Sequence, residues 1–330
     1  MMMLRAGIWS GAFLSLAAFA WYVVGAPGES YRGAPGPLSV AERDSEARLR
    51  RLVADLASHE RNLKHPQGLE AAASVIESTL ASLGHRPVAQ RFAAGNAEVR
   101  NIEIEIGGGA LREQIVVVGA HYDALPGTPG ANANASGVAA LLELARLLHG
   151  AKPARTLRLV WFVNMESPYF LTAEMGSVQY VRRAASRGER IVAMYALETL
   201  GYYTDAPDSQ RYPDPLGLFY PSTGNFVAFV GNLDSRTLVR DSIAAFRRVA
   251  RVPSEAVAAP SFTPDIDGSD HAAFWQQGIA AVMVTDTAPY RYPWYHKEQD
   301  TADRLDYARF TRVVAGLHGM LAGMTGATPP

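Results

Sequence analysis

Two histidines and two glutamates stand directly after apolar segments of the sequence. They are His121 after IVVVGA, Glu166 after LRLVWFVNM, Glu198 after VAMYAL, and His296 after AVMVTDTAPYRYPWY. In open α/β sheets, ligands bind where the carboxyl ends of the strands meet, so we expect these side chains to lie together. Imidazole and carboxylate groups are zinc ligands, and a catalytic zinc ion keeps one coordination position open. The pattern therefore indicates a zinc site.

Each of these residues also has an ordinary structural explanation. A single histidine at a strand end is more often a hydrogen-bonded structural residue, and Glu166 or Glu198 alone would be a loop or cap residue. Asp123 comes two residues after His121, where a carboxylate would orient the imidazole of a ligand. It is the combination of four such residues, rather than any one of them, that favours a metal site.

The elements that must position these residues alternate between strands and helices. Residues 97–106 alternate between apolar and polar side chains, whereas 115–120 and 157–163 are continuous apolar runs, typical of strands covered on both faces. Further strands are predicted over 86–92, 191–197, 225–231 and 280–285, and residues 251–270 are predicted to be a loop. Helices are predicted from Ser39 onward and over 67–83, 135–149, 171–187, 235–250 and 307–321. The sequence therefore predicts an α/β domain of three layers, α/β/α, with a mixed, centrally parallel sheet.

The N-terminal residues 1–26 predict a membrane anchor or a signal segment. Residues 6–26, AGIWSGAFLSLAAFAWYVVGA, carry no charge, and about 20 apolar residues suffice to cross a bilayer as a helix. Pro27 disfavours cleavage by a signal peptidase, so an anchor is preferred to a secreted form. Because Arg5 precedes the segment, the positive-inside rule places the rest of the chain outside the cytoplasm, on the periplasmic or extracellular face.

Composition limits the remaining possibilities. The net charge of −1, from 31 basic and 32 acidic residues, argues against a nucleic-acid partner. The absence of cysteine excludes disulfides, thiolate metal ligands and a cysteine nucleophile. Residues 27–40 are rich in proline and glycine and predict a linker, and residues 41–330 contain no second linker, which indicates a single domain.

Six segments of the sequence resemble, in chain order, the co-catalytic zinc exopeptidases related to aminopeptidase Y and the bacterial leucyl aminopeptidases, which form metallopeptidase family 28. The resemblance covers most of residues 58–310. The segments are HERNLKHPQGLEAAASVIESTLASLG, VGAHYDALPGTPGANANASGVAALLELARLL, FVNMESPYFLTAEMGSVQYV, ALETLGYY, DGSDHAAFWQQGIAAVMVTDT and YHKEQDTADRLDY. It implies a zinc-exopeptidase-like, phosphorylase/hydrolase-like fold and hydrolysis of N-terminal peptide bonds, with peptides or protein N-termini as substrates.

The resemblance also implies roles for single residues. Four of them match the ligands of two zinc ions, one pair for each ion: His121 with Glu198, and Glu166 with His296. Tyr295 matches a tyrosine that stabilises the tetrahedral intermediate in some relatives. Asp270 and His271 match residues that shape the pocket, although Asp270 could equally cap a helix. The segment Asp300–Thr301 is interpreted as a turn and cap rather than as a ligand.

Two positions depart from the family's pattern. Ala133 stands where an aspartate bridges the two zinc ions, and Met165 stands where a glutamate acts as the general base. A bridging carboxylate offsets the repulsion between ions about 3.5–4 Å apart. Alanine has no donor atom, methionine cannot accept a proton, and Asn132 and Asn134 offer only weak zinc ligands. Each half-site keeps two protein ligands where catalytic zinc usually has three, so zero or one zinc is expected.

Three hypotheses follow. The first is a zinc-dependent aminopeptidase with a degenerate, mononuclear or weak metal site. The second is a catalytically inactive pseudo-peptidase that binds peptides or a protein partner. The third, a single-zinc acyltransferase such as glutaminyl cyclase, is weaker because the metal of that enzyme also uses the aspartate that Ala133 replaces.

Overall fold

The computed structural model describes residues 22–327, and within them eight strands form one sheet with helices on both faces. The strands are β1 (Val88–Ala94), β2 (Ala97–Ile106), β3 (Leu111–His121), β4 (Arg155–Phe162), β5 (Ile191–Leu197), β6 (Val227–Asn232), β7 (Ser254–Ala259) and β8 (Ala281–Thr285). The helices are α1 (Val40–Leu56), α2 (Pro66–Ser82), α3 (Gly137–Leu147), α4 (Gly176–Ser186), α5 (Arg236–Val249), α6 (His271–Trp275), α7 (Ala288–Arg291) and α8 (Tyr307–Thr325).

The sheet has the order β1-β2-β4-β3-β5-β8-β6-β7. Its centre, β4-β3-β5-β8, is parallel, whereas β1 and β2 pair in antiparallel fashion and β6 runs antiparallel to β8. The continuous apolar runs form the centre because helices cover both of its faces. The predicted three-layer α/β/α fold with a mixed, centrally parallel sheet is confirmed.

Two apolar clusters fill the space between the layers. On one face, α1, α2, α3, α5 and α8 bury side chains such as Leu49, Val138 and Phe310 against the sheet. On the other face, α4 and α6 bury Val181 and Phe274. Helices occupy only part of this second face, and loops cover the remainder, which lies over β6, β7 and β8.

The prediction of a loop over residues 251–270 is wrong at Ser254–Ala259, which form β7. Pro253 and Pro260 bracket this strand, and its sequence SEAVAA is rich in alanine, so neither periodicity nor β-branched residues marked it. It pairs in parallel with β6 along its whole length, which compensates for its weak intrinsic preference. Helix α4 also begins at Gly176 rather than at residue 171, because turns occupy the residues that precede it.

Residues 22–38, which we call the strap, run along the outside of the domain. Most of the predicted anchor, residues 6–26, lies outside the described residues, but Val23 at its end is buried beside Ala259 and Ile266. Among residues 22–327, no helix is both long and apolar enough to cross a membrane. The division into anchor, linker and domain at residues 26 and 40 stays a prediction.

Arginines of α5 hold the strap through its main-chain carbonyl groups. Arg236 donates to Tyr22, Arg240 to Gly25, and Arg247 to Pro27 and Gly28. The guanidinium of Arg236 also lies 3.8 Å from the centroid of the Tyr22 ring. The strap therefore has a defined path on the surface rather than that of a free linker.

Helix α1 is fixed at its start and along its length by polar contacts. The Ser39 hydroxyl accepts the amide of Glu42, and the Glu42 carboxylate accepts the amide of Ser39, which forms a capping box. Further along, the buried Glu143 of α3 binds Ser45 and Arg48 of α1 and Arg146 of α3. This carboxylate ties the first helix of the domain to the helix that follows β3.

We expect Glu143→Ala to lower the free energy of unfolding by about 2 kcal/mol, because it removes a buried carboxylate that balances two arginines. The loss stays moderate since the side chains of Arg48 and Arg146 are 34% and 33% exposed and can be rehydrated. Urea denaturation measures the change. Glu46→Ala, which removes the exposed pair with Arg50, is the control and should cost below about 0.5 kcal/mol. Equal losses in both variants would contradict the assignment.

Candidate metal site and adjoining cavity

The structure brings the four predicted zinc ligands together at the carboxyl edge of the sheet. His121 ends β3, Glu198 follows β5, Glu166 follows β4, and His296 lies in the loop after α7. His121 Nε2 lies 2.7 Å from Glu198 Oε2, and His296 Nε2 lies 3.1 Å from Glu166 Oε1. These are the same two pairs that the sequence resemblance assigns to the two zinc ions.

Asp123 supports one of these pairs and also positions the loop after β4. Its carboxylate lies 3.3 Å from His121 Nδ1 and accepts the amides of Met165 and Glu166 at 3.1 and 3.0 Å. Burial would raise the pKa of Asp123, but His121 and the two amides outweigh it and keep the pKa low. Asp123 therefore orients His121 and fixes the backbone that carries Glu166.

The charges of the paired residues depend on each other. Burial alone would lower the pKa of His121, but the carboxylates of Glu198 and Asp123 raise it well above its usual value. The pKa of His296 is raised in the same way, with Glu166 outweighing burial. Because zinc binds neutral imidazole, its binding at these residues must displace protons.

His296 and its neighbour Tyr295 have unusual geometry. The φ angle of His296 is 57°, a left-handed conformation that costs a non-glycine residue about 1–3 kcal/mol. The Tyr295 ring stacks on the His296 ring with centroids 3.8 Å apart. Burial, together with the charges of Glu198 and Glu166, raises the pKa of Tyr295, so its hydroxyl stays protonated and is able to donate. This geometry is compatible with the predicted role of Tyr295 as an oxyanion stabiliser.

The loop of residues 131–136, which contains Ala133, is held in place by side chains and not by Ala133 itself. Asp300 accepts the amides of Asn132 and Ala133 at 2.8 and 3.1 Å. The fully buried Arg61 donates to the Gly130 carbonyl at 2.6 Å, and Asn132 donates to Asp286 at 2.9 Å. Asp300 thus caps backbone amides, the role that the sequence suggested in preference to a ligand.

Ala133 and Met165 are buried apolar residues. Ala133 is 1% exposed. Met165 belongs to the apolar cluster that includes Phe162 and Phe274, and its amide, rather than its side chain, contacts Asp123. Neither side chain carries an oxygen or nitrogen atom toward the histidine–glutamate pairs.

The donor types of the site fit zinc. His121 Nε2 lies against Glu198 Oε2 and His296 Nε2 against Glu166 Oε1, so imidazole nitrogens and carboxylate oxygens that could hold a metal are close together as two ion pairs. Over residues 22–327, no three metal-ligating side chains converge on one point. The number of zinc ions that the site holds stays a prediction.

The segment Ser269-Asp270-His271 borders the site behind Glu198. The Ser269 hydroxyl donates to Glu198 Oε2 at 3.1 Å, a contact that the sequence analysis missed because a serine carries no specific signal. Asp270 precedes α6, but its side chain makes no capping hydrogen bond. Burial lowers the pKa of His271 to about 4, and the neutral ring contacts the Ile266 carbonyl at 2.8 Å. The segment therefore forms a wall of the site.

A cavity of about 220 Å³ adjoins the site at Glu198 and Tyr295. It is lined by residues of β6, β7 and β8, by loop residues such as Tyr212 and Tyr220, and by Tyr290 of α7. No sequence signal points to this cavity, because its walls come from distant segments and from a strand that was not predicted.

Comparison with known proteins identifies the family. The model of peptidase family M28 matches residues 101–320. The chain is 39% identical over 272 residues to the uncharacterized protein YfbL of Escherichia coli K12, which covers 80% of this chain and 83% of YfbL. It is 26% identical over 201 residues to aminopeptidase YwaD of Bacillus subtilis, covering 59% of this chain and 38% of YwaD.

The fold is similar to that of LapB from Legionella pneumophila, with a TM-score of 0.67 at 18% identity, covering 94% of this chain and 81% of LapB. The chain belongs to peptidase family M28. The sequence-based assignment to this family of zinc exopeptidases is therefore confirmed, and an aminopeptidase is among its relatives.

Asp270 provides a test of the electrostatics of the wall. Its carboxylate is fully buried, and burial raises its pKa to about 7 against the opposing effects of His121 and the Ser177 hydroxyl. The unfolded chain releases this proton near pH 3.8, so the stability that Asp270 contributes is fully present below that pH. It is lost as the pH rises to about 7.

We therefore expect Asp270→Asn to raise the free energy of unfolding relative to the unmodified protein by about 3 kcal/mol near pH 7.5. The gain should shrink toward zero near pH 4, because both proteins are then uncharged at this position. Urea denaturation at several pH values measures it. Asp44→Asn, at an exposed position of α1, is the control. A gain that does not vary with pH would show that Asp270 is already ionised in the folded protein.

Proposed function

We propose that this chain is an aminopeptidase-like protein that binds the N-terminal residue of peptides in a cleft with a degenerate metal site. The site holds at most one zinc, weakly, and peptide hydrolysis falls far below that of an intact two-zinc centre. The observation that carries the proposal is the pairing of two histidines with two glutamates at the carboxyl edge of the sheet, in a chain that has Ala133 and Met165 at the two positions that hydrolysis can least spare.

Support comes from the hydrogen bonds that hold the backbone on either side of Ala133 and Met165. Asp300 and Arg61 hold the loop of Ala133, and Asp123 holds the backbone of Met165 and Glu166. Because these supports are made to backbone atoms, they do not depend on the side chains at positions 133 and 165. The degeneracy is therefore confined to two side chains.

The chemistry that remains follows from the residues present. Zinc, when bound in such a site, acts as a Lewis acid and lowers the pKa of water. Met165 cannot take up a proton from the attacking water, and the loss of a general base alone costs about 100- to 10,000-fold in rate. The Tyr295 hydroxyl remains a donor beside Glu198, and the cavity remains able to receive a side chain. Binding is thus retained while the proton-transfer step is removed.

A second candidate function is that of a pseudo-peptidase, which binds peptides or a protein partner without any turnover. It is favoured by the coincidence of the two losses, since one of them alone would already weaken hydrolysis. The partner in this case would present a peptide N-terminus to the same cleft. Zinc content and turnover separate the two candidates.

Restoration of both side chains is the direct test. We expect Ala133→Asp with Met165→Glu to bind about two zinc ions per chain and to raise hydrolysis of aminoacyl substrates by at least about 100-fold, the lower end of the general-base contribution. Metal analysis and release of free amino acids measure the two effects. Adding His296→Ala to the restored protein is the matched control and should remove most of the gain.

The unmodified protein decides between the candidates in the same assays. Slow turnover that His296→Ala abolishes supports the degenerate aminopeptidase, whereas peptide binding without turnover supports the pseudo-peptidase. Failure of the unmodified protein to bind any peptide or aminoacyl amide would overturn both. Failure of the restored protein to gain zinc would contradict the view that the degeneracy is confined to two side chains.

We also propose that the domain lies on the periplasmic or extracellular side of a membrane, with the apolar segment 6–26 as anchor or signal. The support is the sequence of that segment and the position of Arg5 before it. Alkaline phosphatase joined after residue 330 should be active in a bacterial host, because it matures only outside the cytoplasm. An inactive phosphatase, together with a fluorescent protein that folds at the same position, would contradict this location.

A further inference from the structure

The cavity beside Glu198 has an uneven distribution of charge. Most of its wall is apolar or aromatic, as the residues Phe226, Val257 and Met283 illustrate. The ionisable Asp, Glu, Lys, Arg and His residues that line it, within the part of the chain that the structure describes, are all acidic: Glu198, Glu255 and Asp265. A cavity whose wall carries carboxylates and no basic residue favours a cationic ligand.

Two of these three carboxylates already have partners. Glu198 is paired with His121 and accepts a hydrogen bond from Ser269. Asp265 accepts the hydroxyl of Tyr290. The third, Glu255 at the start of β7, forms an ion pair with Arg247 and is able to accept further hydrogen bonds.

Glu255 accepts no hydrogen bond from any residue between 22 and 327 in the structure, although its side chain is only 21% exposed. Its nearest cation is Arg247, with Nη2 3.6 Å from Glu255 Oε2. The N–H groups of Arg247 are directed elsewhere, to the carbonyls of Ser254 and Gly28 at 2.6 and 2.9 Å. Burial raises the pKa of Glu255, and the charges of Arg247 and Arg32 act against that rise.

Two tyrosines lie next to Glu255 in the cavity wall. The rings of Tyr212 and Tyr220 are stacked with centroids 5.8 Å apart, and their hydroxyls bind the carbonyls of Pro221 and Ala256. Tyr212 and Tyr220 therefore contribute the aromatic surfaces of their rings to the cavity wall. Such surface accommodates both the methylene stem and the cationic head of a long basic side chain.

The distance across the cavity suits a long side chain. Glu198 and Glu255 lie in about the same row across the sheet. Leu197, just before Glu198, pairs with Val284 of β8. The next residue of β8, Thr285, pairs with Ala228 of β6, which in turn pairs with Glu255 of β7. Three strand spacings separate the α-carbons of Glu198 and Glu255, a span of about 14 Å. An extended lysine side chain covers about 6 Å of that span, and the side chains of the two glutamates reach into the remainder.

We propose that this cavity selects peptides whose N-terminal residue is lysine or arginine, with the side-chain cation bound by Glu255. The inference rests on the proposed function, because the cleft at Glu198 must place the N-terminal residue. A large apolar side chain would fill the same volume but would cover the Glu255 carboxylate without giving it a partner, which is costly. A lysine or arginine side chain fills the volume and satisfies that carboxylate.

The test compares amides of equal stem length on the full chain by calorimetry. We expect lysinamide and argininamide to bind about 10- to 100-fold more tightly than norleucinamide, the value of a charge-assisted hydrogen bond. Nε-acetyl-lysinamide, which keeps the methylene stem, loses the charge and is longer by an acetyl group, should bind as weakly as norleucinamide. Glu255→Gln should remove the preference, because lysinamide binding weakens while norleucinamide, which no longer covers a charged group, binds at least as tightly. Asp265→Asn, the matched control at a carboxylate that Tyr290 already occupies, should keep most of the preference.

The outcomes separate this inference from the function on which it rests. Binding of norleucinamide equal to or tighter than that of lysinamide overturns the selection of cations and leaves the aminopeptidase-like function standing. Absence of binding by every amide overturns both. If Glu255→Gln alters thermal stability, the comparison of lysinamide with its acetylated form on the unmodified protein still decides the question.

Discussion

The structure depends on the meeting of parallel strands at one edge of the sheet. Strands β3, β4 and β5 all end there, and each delivers a polar side chain from a chain segment that is otherwise apolar. Parallel strands require helical crossovers, so the residues that meet at this edge are far apart in sequence. The site is therefore a product of the whole fold, and it persists when single side chains within it change.

The buried charges at the carboxyl edge of the sheet largely balance one another. The fully buried Arg61 interacts with the charges of Asp300, Asp123 and Glu166, and burial lowers its pKa to about 10 without removing its charge at neutral pH. Each histidine is held against a glutamate. Buried charges are costly unless they are paired and hydrogen-bonded, and here most of them are. The result is a set of ion pairs whose charges balance one another at the carboxyl edge of the sheet.

Much of this arrangement could be predicted from the sequence, for identifiable reasons. His121, Glu166 and Glu198 could be placed because each follows an apolar run, and the position of a polar residue after a buried strand is nearly independent of the rest of the chain. The departures from the family's pattern at Ala133 and Met165 could be recognised only through the family resemblance, since an alanine and a methionine carry no chemical signal. Helix boundaries and the central strands were predicted to within a few residues.

The remaining features could not be predicted, because they arise from contacts between distant segments. Strand β7 is held by its pairing with β6 rather than by its own alanine-rich sequence. Arg61 binds a carbonyl group of a loop nearly 70 residues away, and the cavity near Glu255 is built from three strands and several connecting segments that are distant in sequence. None of these contacts has a sequence period or a local motif.

The strap also bears on the solubility of the domain. Strand β7 is the last strand of the sheet, and an uncovered edge strand offers unpaired main-chain groups to a second molecule. The strap lies along this edge, where the Ser30 hydroxyl accepts the Ser254 amide at 2.9 Å and Val23 packs beside Ala259. Arg247 and Tyr220 also bind main-chain carbonyls of β7. We therefore expect a chain that begins at residue 41 to keep every strand of the sheet and to expose more of this edge to a second molecule.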